Sequence, residues 1–352
     1  MIGMGDIYKV VAAMTPLYVA LVLGYGSVKW WKMFTREQCD AINKFVCYFT
    51  LPFFNFEFSS QANPLEWNFK FLAADAISKV IIVTVLVSWA KGCNGCYTWL
   101  ITSFSLSTLT NSLVVGVPML KAMYGDLGVN LVVQSTVFQG IVWFSVLLLV
   151  LEFHKANDAS RVGVDSHNFV RDLERNDNTV SVSAMPRPSF WSMMKIVWVK
   201  LILNPNAHAS VIGITWAFIS NRWHVEMPTI IEGSLLIMSK AGIGSAMFGM
   251  GLFTALQEKI LACGASLTLF GLVLRFIAGP AAMAIGCLVM GLHGDVLRIA
   301  IIQAALPQAI ASFIYAKEYG LHANVLSTAV IFGMIISLPV LVVYFIALSF
   351  LK

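Results

Sequence analysis

Long apolar segments alternate with short polar stretches along nearly the whole chain. An α-helix needs about 20 apolar residues to cross the ~30 Å hydrocarbon core of a bilayer. Ten segments approach or exceed that length, and they are roughly Ile7–Val28, Cys39–Ser60, Phe69–Ala90, Trp99–Met123, Leu127–Phe153, Phe190–Ser220, Ile230–Leu256, Ile260–Leu292, Val296–Tyr315 and Val325–Leu348. The pattern predicts an all-α integral membrane protein with ten transmembrane helices.

The composition agrees with this class. Hydrophobic residues make up 58% of the chain and charged residues only 12%, whereas a soluble domain carries roughly 25% charged residues. The net charge of +5 is spread along the chain without a basic cluster, so we expect no nucleic-acid partner. We therefore expect the protein to be embedded in a lipid bilayer.

The longest polar stretch lies midway along the chain, at residues 154–189. It carries five basic and five acidic residues and few large apolar side chains, a composition typical of a segment without a packed core. We predict a short hydrophilic loop here, which divides the chain into residues 1–153 and residues 190–352, each with five predicted spans.

The two halves resemble each other in sequence. Lys79 in the third span corresponds to Arg275 in the eighth, at an offset of 196 residues. Matching strings at almost the same offset are Leu109-Thr110-Asn111 with Leu306-Pro307-Gln308, and Tyr124-Gly125 with Tyr319-Gly320. Because each half has an odd number of spans, the second copy must enter the membrane from the opposite side. The sequence therefore predicts two inverted five-helix repeats, a common plan of secondary transporters.

Basic residues predict the orientation. Lys29, Lys32 and Arg36 follow the first span, and the central loop lies on the same side in a ten-span arrangement. Loops rich in Lys and Arg stay in the cytoplasm. We therefore predict a cytosolic central loop and both termini on the opposite side.

The fourth and ninth spans carry matched interruptions. The fourth contains S-T-L-T-N-S-L-V-V-G-V-P, residues 107–118, and the ninth contains A-A-L-P-Q-A-I-A-S, residues 304–312. Paired interruptions at corresponding positions point to a transport site. Where broken helices cross, half-helix N-termini present free N–H groups and a partial positive charge, which favours an anionic substrate. The alternative is that the two spans are packing helices with a proline kink and have no role in binding.

The candidate substrate-binding residues lie at the predicted crossing, on the fifth span beside it, or in the aromatic segment of the second span. They are Asn111, Gln139, Val114, Leu51, Phe54, Asn55, Gln308 and Ile310. The amides of Asn111 and Gln308 can donate to a carboxylate. A hydrogen bond between helices is the alternative role for Gln139, and lipid-facing packing is the alternative for the aromatic segment.

A second set of residues is predicted to support or gate the crossing. It comprises Asp75, Lys79, Pro307, Thr110, Pro118 and Arg275. Asp75 and Lys79 are four residues apart and share a helix face, so they can pair. Charges at membrane depth usually face a cavity or a partner. Arg275 would place a second cation behind the crossing, and a purely structural ion pair is the alternative.

Other functional classes fit the sequence less well. A membrane-embedded enzyme would need a catalytic set at membrane depth, but the six histidines lie in loops or near span ends without metal-ligand spacing. The single Cys93-x-x-Cys96 pair is weak support for a metal site. We expect no enzymatic activity, no metal and no cofactor. The alternative within transport is an ion-coupled symporter of another small organic anion, which would need several carboxylate and carbonyl oxygens as ion ligands. Asp75 is the mid-membrane carboxylate near the site, and Lys79 can neutralise it.

At these residues the chain resembles the PIN-FORMED family of plant auxin efflux carriers. The resemblance covers both membrane halves and is carried by the strings I-N-K-F-V, T-N-S-L-V-V-G-V-P, A-M-Y-G, I-S-N-R-W-H and A-L-P-Q-A-I-A-S-F-I-Y-A-K-E-Y-G. The short central loop is similar to the short-loop branch, which the family places at the endoplasmic reticulum.

The resemblance implies a fold and a function. The expected fold is an elevator-type carrier with a scaffold domain and a transport domain, the latter holding crossed helices four and nine. The expected cargo is auxin, the anion indole-3-acetate, carried between cytosol and lumen. With the predicted orientation, both termini would be lumenal. A homodimer is expected on the same basis.

The resemblance also implies roles for individual residues. The family's crossing asparagine corresponds to Asn111, its intramembrane charged pair to Asp75 and Lys79, and its fifth-span glutamine to Gln139. An apolar pocket that includes Val114, Leu51 and Phe54 suits the indole ring. Many members have Pro where this chain has Thr110. The helix break is then expected to depend on Thr110, Asn111, Gly116 and Pro118.

Overall fold

The computed structural model describes residues 4–92, 97–155, 190–257, 259 and 261–350. Regular secondary structure in these residues is helical, which confirms the predicted all-α class. From residue 156 onward the predicted loop at 154–189 lies outside the described residues, as do Cys93 and Cys96. The division of the chain at that loop stays a prediction.

The helices follow one another with short connections. In the first half they are α1 (Met4–Lys29), α2 (Arg36–Phe45), α3 (Leu51–Gln61), α4 (Phe69–Gly92), α5 (Tyr97–Thr108), α6 (Val117–Phe138) and α7 (144–155). In the second half they are α8 (Phe190–Ile202), α9 (Pro205–Trp223), α10 (Thr229–Leu256), α11 (Ala265–Val273), α12 (Gly279–Val289), α13 (Gly294–Ala304), α14 (Ile310–Glu318) and α15 (Ala323–Ser349).

Four stretches of wider π-helix join some of these helices within the described residues: Val46–Thr50, Ser112–Gly116, Gln139–Trp143 and Leu274–Ala278. Three of the four end two residues before a proline, namely Pro52, Pro118 and Pro280. Proline has no N–H group and its ring clashes with the carbonyl four residues earlier. The helix widens ahead of each proline, so that the preceding residue donates to a carbonyl five positions back, as Val117 does to Ser112. The prolines therefore explain the position of these stretches.

Two glycines make the sharp turns that follow the interrupted helices. Gly125 has φ 61° and ψ −140° and breaks α6 internally. Gly320 has φ 69° and separates α14 from α15. Glycine adopts positive φ without steric cost, which explains why a Tyr-Gly pair stands at each turn. The turns lie where the sequence placed the ends of the fourth and ninth spans.

Six helical segments of the described residues are long and apolar enough to cross a membrane. They are Gly5–Lys29, Phe69–Gly92, Ser112–Lys155, Thr229–Leu256, Ala265–Val289 and Ala323–Ser349. The other predicted spans are divided or more polar: the sixth is split between α8 and α9, and the ninth between α13 and α14. The structure therefore supports a membrane protein with several spans, and the count of ten stays a prediction.

The helices pack into two bundles. In the first bundle α1 lies along α10, and α3 lies against α9 and α10. The backbones of α1 and α10 approach so closely that a Cβ on Gly251 would lie 2.1 Å from the carbonyl oxygen of Leu21. Small residues permit such close helix packing in membranes.

The second bundle contains α4–α6 and α11–α15, with α12 against α4 and α15 against α11 and α14. The two bundles meet where the stretch Ser112–Gly116 contacts α10 and where α6 contacts α1 and α3. Tyr18 of α1 also donates to the carbonyl of Met334 on α15, at 2.9 Å. This junction places the stretch Ser112–Gly116, which follows the break in the fourth predicted span, against α10 of the first bundle.

Candidate functional site

The two interrupted helices cross in the second bundle. The N–H of Asn111 donates to the carbonyl of Pro307 at 2.8 Å, and the N–H of Ala309 donates to that of Leu109 at 3.1 Å. These bonds form a short antiparallel bridge between Thr110 and Gln308. The breaks therefore lie at the corresponding positions that the paired interruptions indicated.

Arg275 covers the C-terminal ends of both broken helices. Its guanidinium donates to the carbonyls of Leu106 and Leu109 beside the end of α5, at 3.3 and 3.0 Å, and to that of Ala304 at the end of α13, at 2.6 Å. The side chain is buried, with 2% exposed. Helix C-termini carry unpaired carbonyls and a partial negative charge. One cation thus stabilises two half-helices.

Asp75 and Lys79 form the ion pair that their spacing predicted. The Lys79 ammonium lies 2.6 and 2.5 Å from the two carboxylate oxygens of Asp75, and both residues are buried. The indole N–H of Trp143 donates to the same carboxylate at 3.1 Å, and the ammonium lies 4.9 Å from the centre of that ring. Three groups therefore satisfy one another at membrane depth, as buried charges require.

Gln139 holds the backbone of Thr110 at the break. Its amide oxygen accepts from the N–H of Thr110 at 3.0 Å and from the hydroxyl at 3.1 Å, and its amide nitrogen donates to the carbonyl at 2.8 Å. A residue other than proline at this position has an N–H group that needs a partner when buried. Gln139 supplies that partner, so the break persists with Thr110.

Asn111 stands at the N-terminal end of the second half-helix. Its carbonyl accepts from the N–H groups of Val115 and Gly116, both at 3.3 Å. Its side-chain nitrogen Nδ2 is buried and has no hydrogen-bond partner among the described residues. A buried donor without a partner is costly, and a bound ion or water is one explanation for such a group in a native protein.

Two other predicted amides are used inside the protein. Gln308 donates to the carbonyl of Ser105 at 2.8 Å and to the hydroxyl of Ser312 at 2.6 Å. Asn55 donates to the carbonyl of Asn206 at 2.9 Å and to the hydroxyl of Ser210 at 2.7 Å, so it joins α3 to α9. In this conformation neither amide has the free donor that Asn111 has. Substrate binding by Gln308 or Asn55 stays a prediction.

The predicted apolar wall belongs to one continuous apolar cluster that includes Leu51, Phe54, Val114 and Ile310. The ring of Phe54 is almost fully buried, with 1% exposed. Leu51 and Phe54 come from the first bundle, and Val114 and Ile310 come from the two half-helices of the crossing. Apolar side chains from both bundles therefore belong to the same cluster as Val114, which lies three residues after Asn111.

The prolines of the two interrupted spans lie differently relative to their breaks. Pro307 lies in the bridge itself, where its carbonyl accepts from Asn111. Gly116 and Pro118 lie beyond the break in helical conformation, Gly116 in the π-helical stretch and Pro118 at the second position of α6. The expectation that the break depends on Gly116 and Pro118 as well as on Thr110 and Asn111 is corrected, because the non-helical backbone of the fourth span is confined to residues 109–111.

Sequence reasoning missed Gln303, which connects the two broken helices. Its side-chain nitrogen donates to the hydroxyls of Ser112 at 2.6 Å and Ser135 at 3.1 Å. Gln303 is a polar residue in the apolar string I-I-Q-A-A, residues 301–305. A buried amide in an apolar helix was the signal that could have found it.

A charged cluster at the other end of α14 was also missed. The Lys200 ammonium of α8 lies 2.6 Å from a carboxylate oxygen of Glu318 and 3.3 Å from one of Glu152. It also donates to the hydroxyl of Tyr319 at 2.5 Å, and that hydroxyl donates to Glu152. Burial, followed by the bond to Glu152, raises the pKa of Tyr319 to about 12, so the phenol stays protonated. The cluster ties the ends of α7 and α14 to α8.

Comparisons with known proteins agree with this architecture. Residues 9–345 match the family described as membrane transport protein. The chain is 65% identical to auxin efflux carrier component 5 of Arabidopsis thaliana and 58% identical to probable auxin efflux carrier component 5a of Oryza sativa subsp. japonica, over 100% of this chain and of each relative. It is 37% identical to auxin efflux carrier component 8 of Arabidopsis thaliana, over 99% of this chain and 100% of that relative.

The fold and these matches define a membrane transport protein. Its named relatives are carriers, which are membrane transporters rather than enzymes. The chain belongs to the PIN-FORMED family of auxin efflux carriers, in its short-loop branch.

Proposed function

We propose that this protein is a secondary carrier that moves the auxin anion indole-3-acetate across the endoplasmic reticulum membrane by alternating access. Family membership supports auxin as the cargo. The resemblance to the short-loop branch supports the endoplasmic reticulum as the location. In this proposal the substrate carboxylate binds at the helix crossing.

The unpaired Nδ2 donor of Asn111 is the observation that carries the proposal. It lies at the start of the second half-helix, where the first turn leaves N–H groups without intrahelical partners. A carboxylate placed there would accept from Asn111 and from these N–H groups together. Hydrogen bonds to a charged group are stronger than those between neutral groups.

The charges around the crossing favour an anion. The N-terminal ends of helices carry partial positive charge and the C-terminal ends carry partial negative charge. Arg275 covers the carbonyls at the C-terminal ends, which would otherwise repel an anion. The N-terminal ends then dominate the potential at the substrate side.

The apolar cluster supports an aromatic cargo. Leu51 and Phe54 come from the first bundle, and Val114 and Ile310 from the second. A flat indole ring bound between them would contact both bundles at once. We infer that the first bundle is the scaffold and that the second moves as the transport domain of an elevator-type carrier.

The paired breaks and paired glycine turns support a ten-span arrangement of two inverted five-helix repeats. The basic residues after the first span support a cytosolic central loop and lumenal termini. Protease added to intact microsomes should then cut near Arg171. Protection of that loop with cleavage at the termini would reverse the orientation. A homodimer stays an expectation from the family resemblance.

The test of function is uptake of labelled indole-3-acetate into proteoliposomes made with the purified protein. We expect saturable uptake above that of protein-free liposomes, reduced by unlabelled indole-3-butyrate and less by benzoate, which lacks the larger ring system. Parallel assays with and without a sodium or proton gradient would show whether an ion is coupled to the anion. A requirement for one of these gradients would favour the ion-coupled symporter instead.

In the same assay Asn111→Ala should take up less indole-3-acetate than the wild type, and its matched control is Asn221→Ala. Asn221 lies on α9 and donates to the carbonyl of Ala217 in its own helix, so the variant removes an asparagine amide away from the crossing. It should transport like the wild type. A folded wild-type protein that shows no uptake above protein-free liposomes would overturn the proposed function.

A further inference from the structure

A small cavity lies behind the crossing, on the side of Arg275. Its volume is about 20 Å³, and a single water molecule needs about 10–15 Å³. Polar residues form part of its wall, among them the ion pair of Asp75 and Lys79, Ser107 and Thr108, and apolar residues form the rest. A cavity of this size with polar groups in its wall can hold one water molecule.

Two residues that line this cavity each have one buried polar atom without a partner among the described residues. They are Nε of Arg275, which is a donor, and Oε1 of Gln303, which is an acceptor. The side chains are 98% and 97% buried. Buried polar groups are almost always hydrogen-bonded, to protein or to ordered water. A water can accept from the first atom and donate to the second.

The charges of the wall decide between water and an ion. Lys79 and Arg275 contribute two positive charges and Asp75 contributes one negative charge. A positive wall repels a metal cation. A chloride ion could accept from Nε of Arg275 but has no hydrogen to donate to Oε1 of Gln303. A neutral molecule with both donor and acceptor capacity matches the cavity best.

We propose that this cavity binds one water molecule between Nε of Arg275 and Oε1 of Gln303, and that Gln303, fixed by this water, positions the half-helix that begins at Ser112. The same Gln303 amide donates to the hydroxyls of Ser112 and Ser135. The water thereby connects Arg275, which binds the carbonyls at the helix C-termini, with Gln303, which binds Ser112 at the start of the half-helix on the substrate side. The positioning role rests on the proposed function, whereas the water site does not.

The direct test is a high-resolution map of the full-length protein in lipid nanodiscs, in sodium chloride and again in rubidium bromide. We expect the same water-sized density within hydrogen-bonding distance of both atoms in both salts. A peak that strengthens in rubidium bromide would identify an ion and overturn the proposal. A dry cavity in a map that shows other buried waters would overturn it as well.

Two substitutions at Gln303 separate the acceptor from the side-chain volume. Gln303→Glu keeps an acceptor and should retain the density. Gln303→Met has similar length but no hydrogen-bonding amide, so it should lose the density. Density that persists in the Met variant would show that Gln303 is not the partner of the water.

Transport kinetics test the positioning role. Gln303→Met should raise KM for indole-3-acetate by about threefold to tenfold with a smaller change in maximal rate, because the hydrogen bonds it loses fix the binding half-helix. The matched control is Ser103→Ala, since Ser103 on α5 is also buried with an unpartnered hydroxyl but does not line the cavity. Equal KM values for the wild type and the Met variant would overturn the positioning role. Absence of wild-type transport with density still present would instead count against the proposed function.

Discussion

The two halves of the second bundle use their buried cations differently. Lys79 of α4 and Arg275 of the stretch Leu274–Ala278 occupy corresponding positions in the sequence. Lys79 pairs with Asp75, and Trp143 completes that group. Arg275 has no carboxylate within its described contacts and instead binds backbone carbonyls of both broken helices. Corresponding positions in two similar halves therefore do not imply the same role.

The difference follows from side-chain geometry. Arg has five N–H donors in a planar fork, so one guanidinium can reach carbonyls of two helices. Lys is a compact point charge that suits a single carboxylate. The crossing therefore depends on one Arg, while the Asp–Lys pair is satisfied internally. A substitution at Arg275 should cost more than one at Lys79.

Arg275→Met should have the largest effect. It leaves the carbonyls of Leu109 and Ala304 without their charged donor in a buried site. Two hydrogen bonds to a charged group at roughly 1.5–3 kcal/mol each give an expected loss of about 3–6 kcal/mol in unfolding free energy, or failure to fold. Thermal unfolding in detergent measures the change. Arg275→Lys should recover only part of it, because one ammonium cannot serve both helices.

The control for that experiment is Arg222→Met, since Arg222 is exposed in the last turn of α9. It should change stability by less than about 0.5 kcal/mol. A similar loss in Arg275→Met and Arg222→Met would contradict the role of Arg275 at the crossing.

Lys79→Ala should have the next largest effect. We expect impaired transport with much of the protein still folded, because a lone Asp75 keeps the Trp143 donor and can be neutralised by a proton. The double variant Asp75→Asn with Lys79→Met should unfold at a higher temperature than Lys79→Ala, since it removes both charges together. Unchanged transport kinetics in Lys79→Ala would leave the pair with a structural role only.

Gln139→Leu tests the support of the break in the first half. It removes the partner of the Thr110 N–H, and we expect a cost of about 1–3 kcal/mol in unfolding free energy. Adding Thr110→Pro removes that N–H and should recover part of the loss, so the two substitutions should not be additive. Strict additivity in thermal unfolding would show that the bond between Gln139 and Thr110 does not stabilise the break.

The glycine turns should show the smallest effects, because a substitution there strains the backbone without removing a buried contact. Gly125→Ala and Gly320→Ala force a side chain into positive φ, where no neighbouring atom lies within 4 Å of the added Cβ. The cost is then backbone strain alone, about 1–3 kcal/mol, and it should be large at Gly125, whose ψ of −140° lies outside the left-handed helical region that other residues can adopt. Thermal unfolding of both variants measures the cost, and an unchanged unfolding temperature in Gly125→Ala would contradict the strained conformation of this turn.

The sequence predicted the paired breaks and the Asp75–Lys79 pair, because each has a local signal. Weak helix formers, a proline and a spacing of four residues act within one or two turns of the same helix. The partners of Arg275, Gln139 and Gln303 could not be predicted in the same way. Each binds residues that are distant in sequence, such as Leu109 for Arg275, and only the packing of the bundle brings them together.

The candidate site was predictable only where a local sequence signal marks it. The position of Asn111 at a break followed from the matched interruptions. That Gln308 uses its donors on Ser105 and Ser312 did not follow, because it depends on how the two broken helices cross. The corresponding amides of Asn111 and Gln308 therefore differ: of these two described residues, Asn111 alone has a buried donor without a partner.

Asn111 provides the most direct test of the central claim, that the crossing binds an anion. Removing one hydrogen bond to a charged group costs roughly 1.5–3 kcal/mol, so Asn111→Ala should weaken indole-3-acetate binding by about ten- to a hundredfold. Asn111→Asp should bind still more weakly, because its carboxylate faces the anion. Binding of labelled indole-3-acetate to the three purified, folded proteins should follow the order wild type, Ala, Asp. Equal binding by the wild type and Asn111→Asp would contradict the account.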